Sequence, residues 1–267
     1  MTDPKLPARS LLRAVYEREG SLIPLGAQYQ LSGSPMANAT SAVFRARMNA
    51  AVTLFPAMEG LRLLDLGSGS GVYSAEAFRR GASAVSTDLS TSYLKKAARL
   101  IKSQGFSAIP ISADAAQLPF KDGVFDVVVA LEVIEHVVNP EQVLAEIVRV
   151  LGPKGVLIVS YPQALSPMEV ASQAYHRLRR LSGAAISTER FHQHLHYFTD
   201  DDFGSILTPH GFQISGKRRA CVLHPLLIPF LAATKWPYEV QIAMDRRFGA
   251  GPLGTLAWCT VLRFDRE

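Results

Sequence analysis

Short apolar runs alternate with stretches in which apolar residues recur every three or four positions, and this alternation dominates the middle of the chain. Leu61-Arg62-Leu63-Leu64-Asp65-Leu66 reads as a strand ending in glycines, and Val72 to Arg80 reads as a helix. Ala84 to Asp88 is a second strand, followed by a helix from about Ser90 to Gln104, where Gly105 stops it. Ala108 to Ile111, Phe125 to Leu131 and Gly155 to Tyr161 are further strands. Between the last two, Pro140 to Leu151 has Pro at its start and Gly152 just past its end, as a helix prefers. Strands apolar on both faces and interleaved with helices predict a parallel α/β sheet covered on both sides.

The two ends of the chain carry different patterns. Residues 1 to 58 predict a helical N-terminal extension, with Met36 to Phe55 its best helix. Beyond Tyr161 come a basic helical stretch, a histidine cluster and a helix near Asp200 to Pro209. Phe212 to Arg219 and Thr255 to Phe264 read as two late strands, separated by the apolar segment Val222 to Tyr238. The expected organisation is therefore a cap over 1–58 and one domain over 59–267, with an apolar insertion at about 222–240.

Composition narrows the class. The 267 residues, 48% of them hydrophobic and 19% charged, are enough to bury a large core without staples. Two cysteines, Cys221 and Cys259, make neither a disulfide framework nor a thiolate metal site on their own. The first ten residues are polar and lack the apolar core of a signal peptide, and the greasiest stretch is broken by His224, Pro225 and Pro229. These features predict a reduced, cytoplasmic protein and exclude a disulfide scaffold, a disordered chain and an integral membrane protein. The net charge of +5 changes little, although Arg177 to Arg180, Lys217 to Arg219 and Arg246-Arg247 concentrate it. Each cluster is by default a solvated face; beside the apolar insertion they also suit peripheral contact with an anionic membrane. Nucleic acid is not favoured, because the charge is small for a groove that tracks phosphates. No feature sets the oligomeric state.

Candidate chemistry begins at Gly67-Ser68-Gly69-Ser70-Gly71, between the first strand and its helix. Glycines are needed where the backbone turns tightly and a ligand must approach it closely. Val72 stands where the third glycine of a dinucleotide fingerprint would be, which argues against a nicotinamide dehydrogenase. Asp88 ends the second strand, where a carboxylate can accept ribose hydroxyls across the switch point of a sheet. Asp114 follows the third strand and can meet an adenine amino group.

Leu63 to Ser74, Val85 to Ser90, Ala113 to Phe120, Phe125 to Val137 and Leu151 to Pro162 resemble, in order, the motifs of class I S-adenosylmethionine-dependent methyltransferases. The resemblance is to the small-molecule type, similar to the ubiquinone and menaquinone pathway enzymes. The resemblance spans about 60 to 220. It implies a Rossmann-like, seven-stranded, mostly parallel sheet with an antiparallel last strand, and S-adenosylmethionine as cofactor. It also implies that Asp65, Gly67, Ser68, Gly69 and Gly71 flank the methionine part, that Asp88 with Leu89 holds the ribose, and that Asp114 with Ala115 meets the adenine. Leu131 and Glu132 complete the cofactor set.

The resemblance implies that the stretch after the fourth strand is the lip facing the transferred methyl, where Glu132, Glu135 and His136 are spaced to share a helix face. His192, His194 and His196 alternate further on and would share one side of an extended segment. Three readings compete for these residues. They pack and line a substrate pocket, with Tyr29, His192 and His196 against the substrate. Alternatively His136 or His194, with Glu135, serves as a general base. In the third, Glu132, Glu135, His136 and His194 hold a divalent metal, a pattern similar to ubiquinone-pathway O-methyltransferases and to small-RNA 3′-terminal 2′-O-methyltransferases. The expected activity is methyl transfer to a small apolar or aromatic molecule, most readily at oxygen. A membrane-associated quinone or lipid precursor is the alternative substrate, and a cofactor-binding partner without catalysis the alternative role.

Overall fold

The computed structural model describes Glu17, residues 35–164, 166–167, 169–170, 173–174, 194–222 and 238–267. Tyr29, His192, the basic stretch 177–180 and most of the apolar insertion lie outside the described residues.

Helix α1 (Pro35–Val52) precedes β1 (Arg62–Leu66), α2 (Val72–Arg79), β2 (Ser83–Asp88), α3 (Thr91–Ser103) and β3 (Ile109–Ser112). Then follow β4 (Phe125–Ala130), α4 (Pro140–Val150), β5 (Leu151–Pro162), α5 (Asp200–Leu207), β6 (Phe212–Ala220), α6 (Tyr238–Phe248) and β7 (Cys259–Arg266). The seven strands form one sheet in the order β3-β2-β1-β4-β5-β7-β6. β1 to β5 pair in parallel, and β7 runs antiparallel to both neighbours. This is the Rossmann-like arrangement the sequence predicted, last strand included.

The order reverses between β1 and β4, since β1 carries β2 on one side and β4 on the other. At such a switch point the loops leaving the carboxyl ends of two adjacent strands part, and a crevice opens between them. One apolar layer holds Leu64, Val128, Leu144, Ile147, Leu157 and Phe203. The other holds Leu63, Val127, Val129, Ile158 and Val261 with Ala46, Ala50 and Ala51 of α1. The N-terminal helix is thus part of the core, because its small-residue face lets it lie close to the sheet.

The chain termini of the helices follow the local chemistry. Asn139 caps α4 through the Gln142 N–H, and Pro140 stands at its first position. Thr199 and Asp202 form a reciprocal capping box at α5. α6 lies mostly beyond the expected insertion, in a stretch to which the sequence reading gave no element, and a 3-10 turn at Pro252–Leu256 takes the start of the expected last strand, so β7 begins four residues later, at Cys259. β5 begins earlier than expected, at Leu151, because α4 passes into it directly. No helix among the described residues is long and apolar enough to cross a membrane.

Candidate active site

The loop after β1 is built on left-handed backbone: Gly67, Gly69 and Gly71 have φ of 65°, 50° and 77°. The three glycines serve different ends. A Cβ on Gly67 would stand 2.5 Å from Val133 Cγ2, and one on Gly71 would stand 2.6 Å from Ala97 Cβ. These two permit close packing of protein on protein. A Cβ on Gly69 would meet nothing within 4 Å, so its bare backbone faces open space. The hydroxyl of Ser68 beside it is buried without a hydrogen-bond partner among the described residues.

Two aspartates brace this loop. Asp65 is buried and accepts the N–H and the hydroxyl of Ser74, at 3.0 and 2.7 Å, tying β1 to α2. Asp88 accepts the Gly69 N–H at 3.0 Å on one oxygen and the Ser90 N–H at 2.8 Å on the other. Burial pushes both carboxyls up, to about 6, against the pull of those bonds. Asp114 closes its own turn, accepting the Ala116 N–H at 2.9 Å. Ala115 packs against the core beside it, and Leu131 is buried. Asp88 and Asp114 leave adjacent parallel strands, with Asp88 paired to Ser112. An open glycine, an unpartnered buried hydroxyl and acids at the ends of two neighbouring strands fit an adenosyl cofactor.

The lip after β4 departs from the helix face that the sequence suggested. Only Ile134–His136 form a turn, a single one of 3-10 helix, and Glu132 lies before it with φ of 57°. The Glu132 carboxylate turns away toward Arg47, 2.8 Å distant, and accepts the Ser160 hydroxyl at 2.9 Å. Glu135, His136 and His194 come together instead, with donor atoms all within 4.8 Å of one another. The Leu195 and His196 amides donate to the Glu135 carbonyl, at 2.8 and 3.2 Å, which stitches the histidine segment to the lip. His196 turns elsewhere: its Nε2 lies 3.0 Å from the Val137 carbonyl.

Glu135 is fully buried, and neither carboxylate oxygen has a partner among the described residues. Burial first, and then the charge of Glu132, push its carboxyl well up. Such a group calls for a proton, a cation or a substrate donor.

One residue of this constellation escaped the sequence reading. Glu169, helical and buried, lies 3.3 Å from His194 Nδ1 and accepts the Tyr197 hydroxyl at 2.8 Å. Burial works to raise its carboxyl, but the contacts with His194 and Tyr197 prevail and hold it low. A single glutamate in a loosely patterned stretch carries no motif, so only the packing reveals it.

Glycine loop, strand-end acids and the antiparallel β7 together define a class I S-adenosylmethionine-dependent methyltransferase fold. Residues 64–159 match the family model described as a methyltransferase domain. Over 103 residues the chain is 40% identical to a ubiquinone biosynthesis O-methyltransferase of Caulobacter sp. (strain K31), covering 38% of this chain and 41% of the relative. A protein of the same name from Psychrobacter cryohalolentis is 35% identical over 109 residues, covering 39% and 41%. The chain thus spans about two fifths of the length of the curated relatives it matches. Among solved structures, magnesium protoporphyrin IX methyltransferase from Synechocystis with bound SAH superposes with a TM-score of 0.58 at 16% identity, covering 97% of this chain and 99% of that one. An S-adenosylmethionine-dependent methyltransferase from Mesorhizobium loti gives 0.55 at 18%, covering 83% and 98%. At these identities the likeness is one of fold.

Proposed function

We propose that the protein transfers a methyl group from S-adenosylmethionine to a hydroxyl of a small apolar or aromatic molecule. The observation that carries this reading is the contact between two loops. Val133, between Glu132 and Glu135, fills the space left by the missing Cβ of Gly67. The Glu135–His136–His194 cluster is thereby held on the segment that touches the open glycine loop. The curated relatives named as O-methyltransferases support transfer to oxygen.

When bound, the cofactor supplies a methyl group already made electrophilic by its sulfonium. The chain's own residues bind and orient. Gly69 leaves room for the ligand, Asp88 accepts ribose hydroxyls, and Asp114 with Ala115 borders the adenine. Leu131 would border the cofactor on an apolar side, and Leu89 would join Asp88 at the ribose. Aligning the acceptor with the methyl is the main task, and positioning of this kind is worth about 7–11 kcal/mol. A phenolic or alcoholic acceptor must also lose a proton. Glu169 beside Nδ1 of His194 favours the tautomer with its proton on Nδ1, which leaves Nε2 free to accept. His136, whose ring centroid lies 5.2 Å from that of His194, stands on the same side.

A second reading rests on Glu135. Its two unpartnered oxygens beside two imidazoles fit a divalent ion, held by Glu135, His136 and His194, that would anchor a pair of adjacent hydroxyls. Glu132 stands apart from that donor set.

Calorimetry with S-adenosylhomocysteine tests the cofactor: the wild type binds, and Asp88→Ala binds more weakly by about 1.5–3 kcal/mol for a lost charged hydrogen bond. Absence of binding by the wild type would sink the reading. Transfer of labelled methyl to phenols and catechols, with and without EDTA, then separates the base from the metal. Full activity in chelator removes the metal.

A further inference from the structure

Arg47 does something that neither the glycine loop nor the catalytic cluster explains. It projects from the middle of α1, outside the motifs of the sheet, and is buried with an exposure of 7%. Its guanidinium pairs with Glu132 at 2.8 Å and hydrogen-bonds Tyr73, the second residue of α2. Glu132 begins the lip after β4, and Tyr73 begins the helix after the glycine loop. One side chain from the N-terminal helix therefore joins both walls of the switch-point crevice.

The backbone at Glu132 needs that support. Left-handed backbone at a non-glycine residue is strained and persists only where its surroundings enforce it. Here Ser160 Oγ accepts the Glu132 N–H at 2.8 Å and donates to its carboxylate at 2.9 Å, while the Cys259 thiol lies 3.5 Å from the same oxygen. Arg47 takes the other carboxylate oxygen and supplies the only cation among these partners. The other left-handed non-glycine residue among the described residues, Cys221 with φ of 60°, also meets α1: its thiol lies 3.9 Å from the Val43 carbonyl, one turn before Arg47. Phe44 stacks on the guanidinium at 4.8 Å and closes the site from the helix side.

We propose that Arg47 is a positioning residue for cofactor binding: by clamping Glu132 and Tyr73 it converts the docking of α1 into the shape of the two loops that flank the methyl donor. The shape of the loops is independent of the reaction; their use for an adenosyl cofactor rests on the methyltransferase reading. The strained lip is stable only with α1 seated, so this helix belongs to the framework of the cofactor site.

A role in stability alone and a role in positioning predict different behaviour once the pair is neutralised. Arg47→Met by itself leaves a buried, unpaired carboxylate, which can prevent folding. Arg47→Met/Glu132→Gln removes both charges, and neutral replacements of a buried pair are often tolerated or stabilising. The double variant is compared with Glu132→Gln, in which the guanidinium and its bond to Tyr73 remain. Thermal melting gives stability; hydrogen exchange over residues 131–137 without ligand gives loop order; calorimetry with S-adenosylhomocysteine gives affinity. The proposal expects the double variant to melt at or above Glu132→Gln, yet to exchange faster over 131–137 and to bind about fivefold or more weakly, a coupling ordinary for residues in contact. Arg47→Lys, which restores a cation but not the fork that reaches two partners, should remain short of the wild type in affinity. Wild-type exchange and an affinity equal to that of Glu132→Gln in a folded double variant would overturn the clamp. If the wild type fails to bind S-adenosylhomocysteine, the methyltransferase reading falls, and the exchange measurement still decides whether Arg47 orders the loop.

Discussion

Asp88 provides the sharpest quantitative test, because its buried place in the fold and its proposed role at the ribose have opposite pH dependence. Its carboxyl is raised by burial from 3.8 to about 6, which at 1.36 kcal/mol per pKa unit amounts to about 3 kcal/mol for keeping the anion in the folded chain. A group raised in the folded state stabilises it when protonated, so this stability is present below the unfolded value and is lost as pH rises through about 6. Asparagine removes the charge but keeps one acceptor where the carboxylate has two. Either the Gly69 or the Ser90 N–H then faces an amide NH2, a loss of about 1–3 kcal/mol. At neutral pH the gain and the loss nearly cancel, and Asp88→Asn should melt close to the wild type. Between pH 7.5 and pH 5 the wild type should gain about 1.4 kcal/mol over the variant, or roughly 3–5 °C in Tm. Asp65, also raised to about 6, is present in both proteins and cancels in the difference. Cofactor affinity must move the other way, since ribose hydroxyls need the anion; S-adenosylhomocysteine should bind the wild type less well below pH 6. Parallel melts of the ligand-free proteins and calorimetry across this range make the measurement. A melting difference that is flat or shrinks on acidification would refute the assignment of a buried, ionising Asp88.

Three further outcomes follow from the geometry. Gly67→Ala and Gly71→Ala should lower stability well beyond the about 1–2 kcal/mol of left-handed strain, because each Cβ strikes a neighbour; Gly69→Ala should pay only the strain in urea melts but lose S-adenosylhomocysteine binding. Glu169→Gln should lower kcat by about tenfold to a hundredfold with little change in KM for the methyl donor, because general-base assistance is lost at His194 while the cofactor loops stay intact. Glu135→Gln should melt no lower than the wild type without ligand, with the gap in its favour widening as pH rises, because it removes a buried carboxyl that ionises at a cost. Differential scanning calorimetry from pH 6 to pH 9 checks that direction.

The order of elements was legible because each has a local cause. The apolar runs at β1, β2, β4 and β5 admit little besides buried strands, and proline before α4 marks its start. The glycine loop was legible for the same reason: left-handed backbone at three alternate positions selects glycine whatever surrounds it. Glu135, His136 and His194 could be named as candidates from residue type and spacing, although the spacing suggested a helix face that the 3-10 turn does not form. α6 was missed, since its apolar positions merge with the insertion before it.

The sequence by itself determined the parallel α/β core and the glycine loop after β1, both consequences of short-range periodicity and backbone sterics. Tertiary structure alone decided which charged groups meet. Glu132 and Glu135 are three residues apart and chemically alike, yet one is paired with Arg47, 85 positions earlier, and the other is buried with no carboxylate partner among the described residues. Glu169 reaches His194 across 25 positions. Local preference cannot encode such choices: a buried carboxylate takes its partner from whatever element packs against it, and that packing exists only when the sheet, α1 and the histidine segment have closed together.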